Sequence, residues 1–200
     1  MAFEKAVILI TDIQQNLVID GNKEMLERMA ETLLENAIRH TEAGKEVKIV
    51  RTMPNTPAMV GEGMTAVCPN EHLTEDEIAY VKSLLESFSR AEIVPERMMD
   101  VVTAVSGSSP AYVFMLIEAM ADAAVSGGMP RKQAYQFAAQ ALLGSAKMVL
   151  ETGMHPGELK DMVCSPAGST IEGVRILEQK GFRSAVFEAL NGAAEKGKKM

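Results

Sequence analysis

Ala91-Glu92-Ile93-Val94-Pro95-Glu96 is the stretch at which this chain changes character. Ala91 to Val94 is its last short run with strand texture, and Pro95 closes the run because proline has no N–H for a ladder. Upstream the chain alternates. Ala6-Val7-Ile8-Leu9-Ile10 is a compact apolar run and reads as a buried strand. Asn22 to Ala43 carries Leu26, Met29, Ala30, Leu33, Ala37 and Ile38 on one stripe and reads as a helix, with Asn22 and Gly44 as its caps. Val47 to Val50 reads as a second strand, so the first fifty residues predict a β–α–β unit with parallel pairing. Arg51-Thr52-Met53-Pro54-Asn55-Thr56-Pro57 breaks into a loop with two prolines, and Gly63 to Cys68 reads as a strand ended by Pro69. Thr74-Glu75-Asp76-Glu77 is a capping box that opens a helix to about Phe88.

Downstream of Glu96 the strand signals vanish. Ala111 to Ser126 is apolar on nearly every face, which predicts a central helix covered by its neighbours. Glu118 and Asp122, one turn apart within it, are candidate acids, although a wet strip or a cap for a neighbour is the commoner reading. Gly127-Gly128-Met129-Pro130 breaks the chain, with Pro130 suited to the first turn of a helix to about Thr152. His155-Pro156-Gly157 breaks it again, His155 reading as a cap or a surface residue. Helices over Glu158 to Val163, Ile171 to Gln179 and Phe182 to Lys196 then complete a bundle. The predicted architecture is a short, incomplete, Rossmann-like parallel α/β part over residues 1–96 and an all-α helical part over residues 97–200.

Composition narrows the function classes. A net charge of −7 argues against nucleic acid or an anionic membrane surface as the main partner. Cys68 and Cys164 are far apart without metal-type spacing, which fits a reducing, cytoplasmic compartment better than a disulfide framework. Nothing at the start reads as a signal peptide, and no apolar run reaches a membrane span, the longest being broken by Glu118 and Asp122. His40, His72 and His155 share no spacing that suggests a metal site or a triad.

Three motifs merit weighing. Gly61-Glu62-Gly63-Met64-Thr65-Ala66 has the letters of a dinucleotide fingerprint but the wrong context, since prolines precede it and a strand follows. Val105-Ser106-Gly107-Ser108-Ser109-Pro110-Ala111-Tyr112 permits close approach of a helix or a ligand, helix packing being the commoner cause. Val163-Cys164-Ser165-Pro166-Ala167-Gly168-Ser169-Thr170-Ile171 must turn at Pro166, and Ser169 or Thr170 is a good N-cap for the helix that follows. It is either an ordinary capped loop or a receptor for a carboxylate at a helix N-terminus.

From Val47 onward the chain closely resembles pyrroline-5-carboxylate reductase. The resemblance rests on Arg51 to Pro57, Val60-Gly61-Glu62-Gly63-Met64, Val105 to Tyr112, Glu118-Ala119-Met120-Ala121-Asp122, Gly157-Glu158-Leu159-Lys160-Asp161 and Ser165 to Ile171, all in order. It implies a Rossmann-type domain followed by a helical, substrate-binding domain that interlocks with a second copy in a dimer or larger homo-oligomer. It implies hydride transfer from NADPH or NADH to 1-pyrroline-5-carboxylate, giving L-proline. Carried onto this chain, Ser165, Gly168, Ser169 and Thr170 bind the pyrroline carboxylate, and Thr103 faces the ring nitrogen as the catalytic contact. Met53, Pro54 and Asn55 lie near the nicotinamide. The family usually has glycine where Ala167 stands, which an alanine suits only at negative φ.

Residues 1–46 depart from the family and show no Gly-rich phosphate loop. Ala6 to Gln14 is instead faintly similar to the first strand of isochorismatase-type hydrolases, with Asp12 at their acid position. Three functions therefore stay open: the reductase, a non-catalytic dimerising remnant or chimera, and a hydrolase segment fused to a reductase dimerisation domain.

Overall fold

The structure, a computed structural model, describes residues 8, 9, 32, 36, 37 and 46–198. By compactness the chain divides into Met1–Gly107 with Ala193–Met200, and Ser108–Gly192. In the first unit, β1 (Ile8–Leu9) pairs in parallel with β2 (Glu46–Val47), as the strand–helix–strand pattern predicts. Of the helix expected over 22–43, Thr32, Asn36 and Ala37 are described and helical, while its caps lie outside the described residues.

The strand expected over 47–50 stops at Val47, and pairing resumes at β3 (Arg51–Met53). A three-stranded sheet then runs β3, β4 (Gly63–Cys68), β5 (Ser89–Ile93). It is mixed. β4 and β5 are parallel, joined through α1 (Glu75–Leu85), whereas β3 and β4 are antiparallel with Thr52 opposite Val67. The parallel pairing expected of this part holds for β4 with β5 and gives way at β3 for a geometric reason. Its link to β4 holds only a short 3-10 turn, Thr56–Val60, and a parallel crossover needs a dozen residues or more.

Packing across this sheet is tight at β4. Thr65 and Val67 are wholly buried. The Thr65 hydroxyl donates to Ser89 Oγ at 2.7 Å, and Ser89 Oγ donates to the Leu85 carbonyl at 2.9 Å, tying β4 and β5 to the end of α1. Ser89→Ala strands the Thr65 hydroxyl in the interior and should cost about 1–3 kcal/mol in urea unfolding. Thr65→Val leaves Ser89 its acceptor and should cost less than Ser89→Ala. The opposite ranking would refute this account.

The capping box forms as expected. Thr74 Oγ1 accepts from the Glu77 N–H at 3.3 Å, and Glu77 Oε2 accepts from the Thr74 N–H at 2.8 Å. Lys48 Nζ also donates to Glu77 at 2.9 Å, and chiefly through this bond the Glu77 carboxyl is held down at about 2, against an ordinary 4.5. Between those values the unfolded chain binds the extra proton, so this contribution to stability is complete above pH 4.5 and is lost as pH falls through about 2. Glu77→Gln should flatten that part of the acid limb when urea midpoints are compared between pH 2 and 5; an unchanged slope would show that the bonds do not matter to folding.

Beyond β5 the described chain is helical. A 3-10 turn at Glu96–Met98 leads into α2 (Met99–Val102), a π-helical segment at Thr103–Ser108, and α3 (Ser109–Ser126). The π segment carries the helix into the small-residue motif that begins at Val105. The resulting 31-residue stretch, Glu96–Ser126, is long and apolar enough to cross a bilayer by length and composition alone. α4 (Arg131–Thr152), α5 (Pro156–Val163), α6 (Ser169–Gln179) and α7 (Phe182–Gly197) follow. Pro130 is the N-cap of α4 and stands just outside its first turn.

In the second unit α3 packs on α4 through small residues, with Ala121, Ala134 and Ala138 buried. Asp122 accepts from Arg131 at 2.5 Å, which closes the turn between the two helices, and Arg131 lies 5.5 Å from the centre of the Tyr135 ring. Asp122 is therefore a structural partner, and Glu118 is exposed. The covered central helix expected at 111–126 is not found in the single chain. Phe114, Met115, Phe137, Leu150 and Phe187 are each more than half exposed.

Candidate functional site

Two groups of predicted site residues are placed by the fold, one in each unit. The first is built around the π segment. Proline 110 has no N–H, so the Ser106 carbonyl lacks the donor that an α-helix would supply four residues on. The Asn55 amide provides one: its Nδ2 donates to the Ser106 carbonyl at 3.0 Å, while its Oδ1 accepts from the Met64 N–H at 2.8 Å. Asn55 is also the N-cap residue of the 3-10 turn and makes no side-chain cap bond, its amide being used here instead.

Across the same segment, Met53 lies over Gly107. A Cβ at Gly107 would stand 3.0 Å from the Met53 methyl and 3.7 Å from the Thr103 methyl, so the absence of a side chain lets the three residues meet. The Thr103 hydroxyl donates to the Met99 carbonyl at 2.9 Å. A hydroxyl committed in that direction meets a ring nitrogen as an acceptor. On another side, Met64, Ala66, Val94, Val102 and Val105 line an apolar cavity of about 230 Å³, with Glu92 its one acidic wall residue. The sequence sets Met53, Asn55 and Thr103 far apart, and the fold brings them into one neighbourhood. The sequence carried no warning of the Met53–Gly107 contact or the Asn55 bridge, for which Pro110 was the available signal.

The second group is the loop between α5 and α6. Ser165 to Gly168 forms a turn closed by the Gly168 N–H donating to the Ser165 carbonyl at 3.0 Å. Pro166 occupies its second position, and Ala167 its third with φ +57°. The alanine therefore does not sit at the negative φ that would suit it. This is the pattern of a type II turn, whose third residue is left-handed and ordinarily glycine, and the alanine costs about 1–2 kcal/mol there.

The helix start also differs from the expected Ser169 or Thr170 cap. Gly168 is the N-cap, without a side-chain cap bond, and Ser169 and Thr170 are the first two helical residues. A Cβ at Gly168 would lie 2.4 Å from Ser165 Oγ and 3.1 Å from its carbonyl oxygen, so the turn admits only glycine undisturbed. The first N–H groups of α6 have no intrahelical acceptor, and the hydroxyls of Ser165, Ser169 and Thr170 sit in the same short stretch. Such an end suits a carboxylate. The flanking cations are engaged: Lys160 pairs with Asp161, and Arg175 holds Glu172 at 2.7 Å, keeping that carboxyl below its usual range. His155 caps α5, accepting from the Gly157 N–H at 3.0 Å.

Residues 96–200 match the family model described as pyrroline-5-carboxylate reductase dimerisation. The chain belongs to the pyrroline-5-carboxylate reductase family. Pyrroline-5-carboxylate reductase from Escherichia coli K12 is 63% identical over 157 residues, covering 78% of this chain and 58% of that protein. The Methanosarcina acetivorans reductase is 49% identical over 153 residues, covering 76% of this chain and 57% of that one. Among solved structures, a Plasmodium falciparum pyrroline carboxylate reductase with NADP bound is 37% identical with a TM-score of 0.70, over 76% of this chain and 62% of that one. The Coxiella burnetii pyrroline-5-carboxylate reductase is 27% identical with a TM-score of 0.77, over 99% of this chain and 77% of that one. The chain thus spans little more than half the length of the first of these reductases.

Within the reductase fold, the discarded fingerprint letters find other uses. Gly61 ends the 3-10 turn at φ +79°, and Gly63 packs against Ala58 and Ser89. Among the described residues no glycine-rich turn joins a strand to a helix as a dinucleotide pyrophosphate requires. Of the hydrolase alternative, Asp12 lies outside the described residues. The Cys68 thiol donates to Glu96 at 3.3 Å.

Proposed function

We propose that this chain reduces 1-pyrroline-5-carboxylate to L-proline with NADPH or NADH, as a cytoplasmic homodimer or higher homo-oligomer. The observation that carries the reading is the meeting of Met53 and Thr103 across Gly107, at positions within the stretch shared with the Escherichia coli reductase. The dinucleotide supplies the hydride when bound, and in this reading Met53, Pro54 and Asn55 lie beside its nicotinamide. Thr103 accepts a hydrogen bond from the protonated ring nitrogen. Because its own proton is on the Met99 carbonyl, it orients the iminium and does not protonate it; the proton arrives with the substrate from solvent. Ser165, Gly168, Ser169 and Thr170 hold the carboxylate through N–H groups and hydroxyls. The uncovered apolar side chains of α3, α4 and α7 are the dimer contact, and a membrane-spanning role for Glu96–Ser126 is not part of this reading. Two free thiols, Cys68 and Cys164, suit a reducing compartment.

A second reading is favoured by the sequence of residues 1–46, which carries no Gly-rich strand-to-helix turn: a dimer that binds proline-like carboxylates without turnover. Titration of NADPH fluorescence, followed by NADPH oxidation with pyrroline-5-carboxylate, separates the two. The reductase reading expects saturable binding and turnover; no binding at millimolar dinucleotide would sink it and leave the second. Both readings expect Thr170→Val to weaken L-proline binding by roughly 10-fold, the size of one lost hydrogen bond to a charge.

A further inference from the structure

We propose that Asn55 is a positioning residue, whose amide holds the π segment in register by giving the Ser106 carbonyl the donor that Pro110 lacks. This goes beyond a place near the nicotinamide, and it rests on the reading of Thr103 as the contact to the ring nitrogen.

Pro110 creates the need. Its ring and missing N–H leave the Ser106 carbonyl without an α-helical partner, and the extra residue of a π turn is one way a helix accommodates such a break. π turns are costly in isolation and persist where something outside the helix holds them. Here the outside group is Asn55, donating to Ser106 at 3.0 Å. The other end of the same amide is fixed by the Met64 N–H at 2.8 Å, so the donor is anchored to the central strand and cannot drift with its loop. Thr103 is the first residue of the segment and Gly107 its fifth. One side-chain bond therefore sets the position of Thr103 and Met53 relative to each other, because Met53 lies two residues before Asn55 and rests on Gly107. An amide with both ends engaged acts on substrate geometry through the backbone it holds.

The test combines hydrogen exchange over residues 99–107 with separate titrations of L-proline and NADPH. Asn55→Ala should lower protection in that segment and weaken L-proline binding, each by about 10-fold, the value of one hydrogen bond to a part-buried carbonyl. Any loss of NADPH affinity should be smaller than the loss of L-proline affinity, because both ends of the Asn55 amide are engaged within the protein. Asn55→Asp keeps the acceptor for Met64 but sets a carboxylate against the Ser106 carbonyl, so it should do no better than alanine. Adding Pro110→Ala to Asn55→Ala restores an N–H four residues after Ser106 and should recover most of the protection. If Asn55→Ala does not fold, refolding of the double variant supports the proposal and continued failure overturns it. Unchanged protection in Asn55→Ala overturns it, as does a fall confined to NADPH affinity, which would make Asn55 a direct cofactor contact. If the parent chain binds no L-proline, the reading of Thr103 fails, while the exchange comparison still decides the role of Asn55.

Discussion

At micromolar concentration the chain should sediment as a dimer, and Phe187→Asp or Phe114→Asp should each convert it largely to monomer. Both phenylalanines are more than half exposed in the single chain, at 67% and 58%, on helices whose only buried side chains are small or absent. Burying a phenylalanine contributes about 1.5–3 kcal/mol, and a two-fold dimer counts each position twice. Each substitution should therefore weaken association by about 3–6 kcal/mol, or roughly 10²–10⁴ in Kd. The unfolding midpoint of the parent should rise with protein concentration, as linkage requires when folding and association are coupled. A concentration-independent midpoint for a monodisperse monomer would dismiss the dimer and with it the explanation for the uncovered apolar surface.

Gly168→Val should abolish L-proline binding, with a loss beyond about 100-fold, while sparing helix content and assembly. A Cβ at this position would meet the Ser165 hydroxyl at 2.4 Å and its carbonyl oxygen at 3.1 Å, so the turn must open. Opening it moves the N–H groups and hydroxyls that would share the carboxylate, and a displacement of about 1 Å in a positioning group is enough for a 100-fold effect. Valine is also a poor N-cap, so part of any loss of stability would come from the start of α6 itself. Gly168→Ala should fall between the two, because the Ser165 side chain can rotate away from a lone methyl. Parent-like affinity in Gly168→Val would remove the loop from the binding site.

Local signals in the sequence carried the architecture a long way. The Thr74–Glu77 box, the strand ending at Cys68, the turn at Pro166 and the helical texture after Pro95 are each fixed by neighbours a few residues apart, and each is found. Features that depend on distant partners were harder. The antiparallel pairing of β3 was legible only in the shortness of its link to β4. The exposure of Phe114 was hidden because a helix apolar all round looks the same whether its own chain or a second copy covers it. At the loop before α6, residue types suggested a Ser169 or Thr170 cap, yet the cap fell to Gly168 because the type II turn places its oxygen-bearing neighbours inside the first turn. The sign of φ at Ala167 is a property of that turn, and the family glycine was its one trace.

Ala167 carries a kinetic implication. Its left-handed backbone makes the turn's observed shape less populated than the same turn built on glycine, which visits positive φ freely. A ligand that needs this shape must recruit it from a smaller fraction of molecules, so apparent affinity falls in proportion. Where the recruited shape relaxes only after release, the strain slows capture of a carboxylate and leaves its residence time unchanged. Two ligands that share one carboxylate would lose affinity alike, so such a loop sets the scale of binding and not the choice between them.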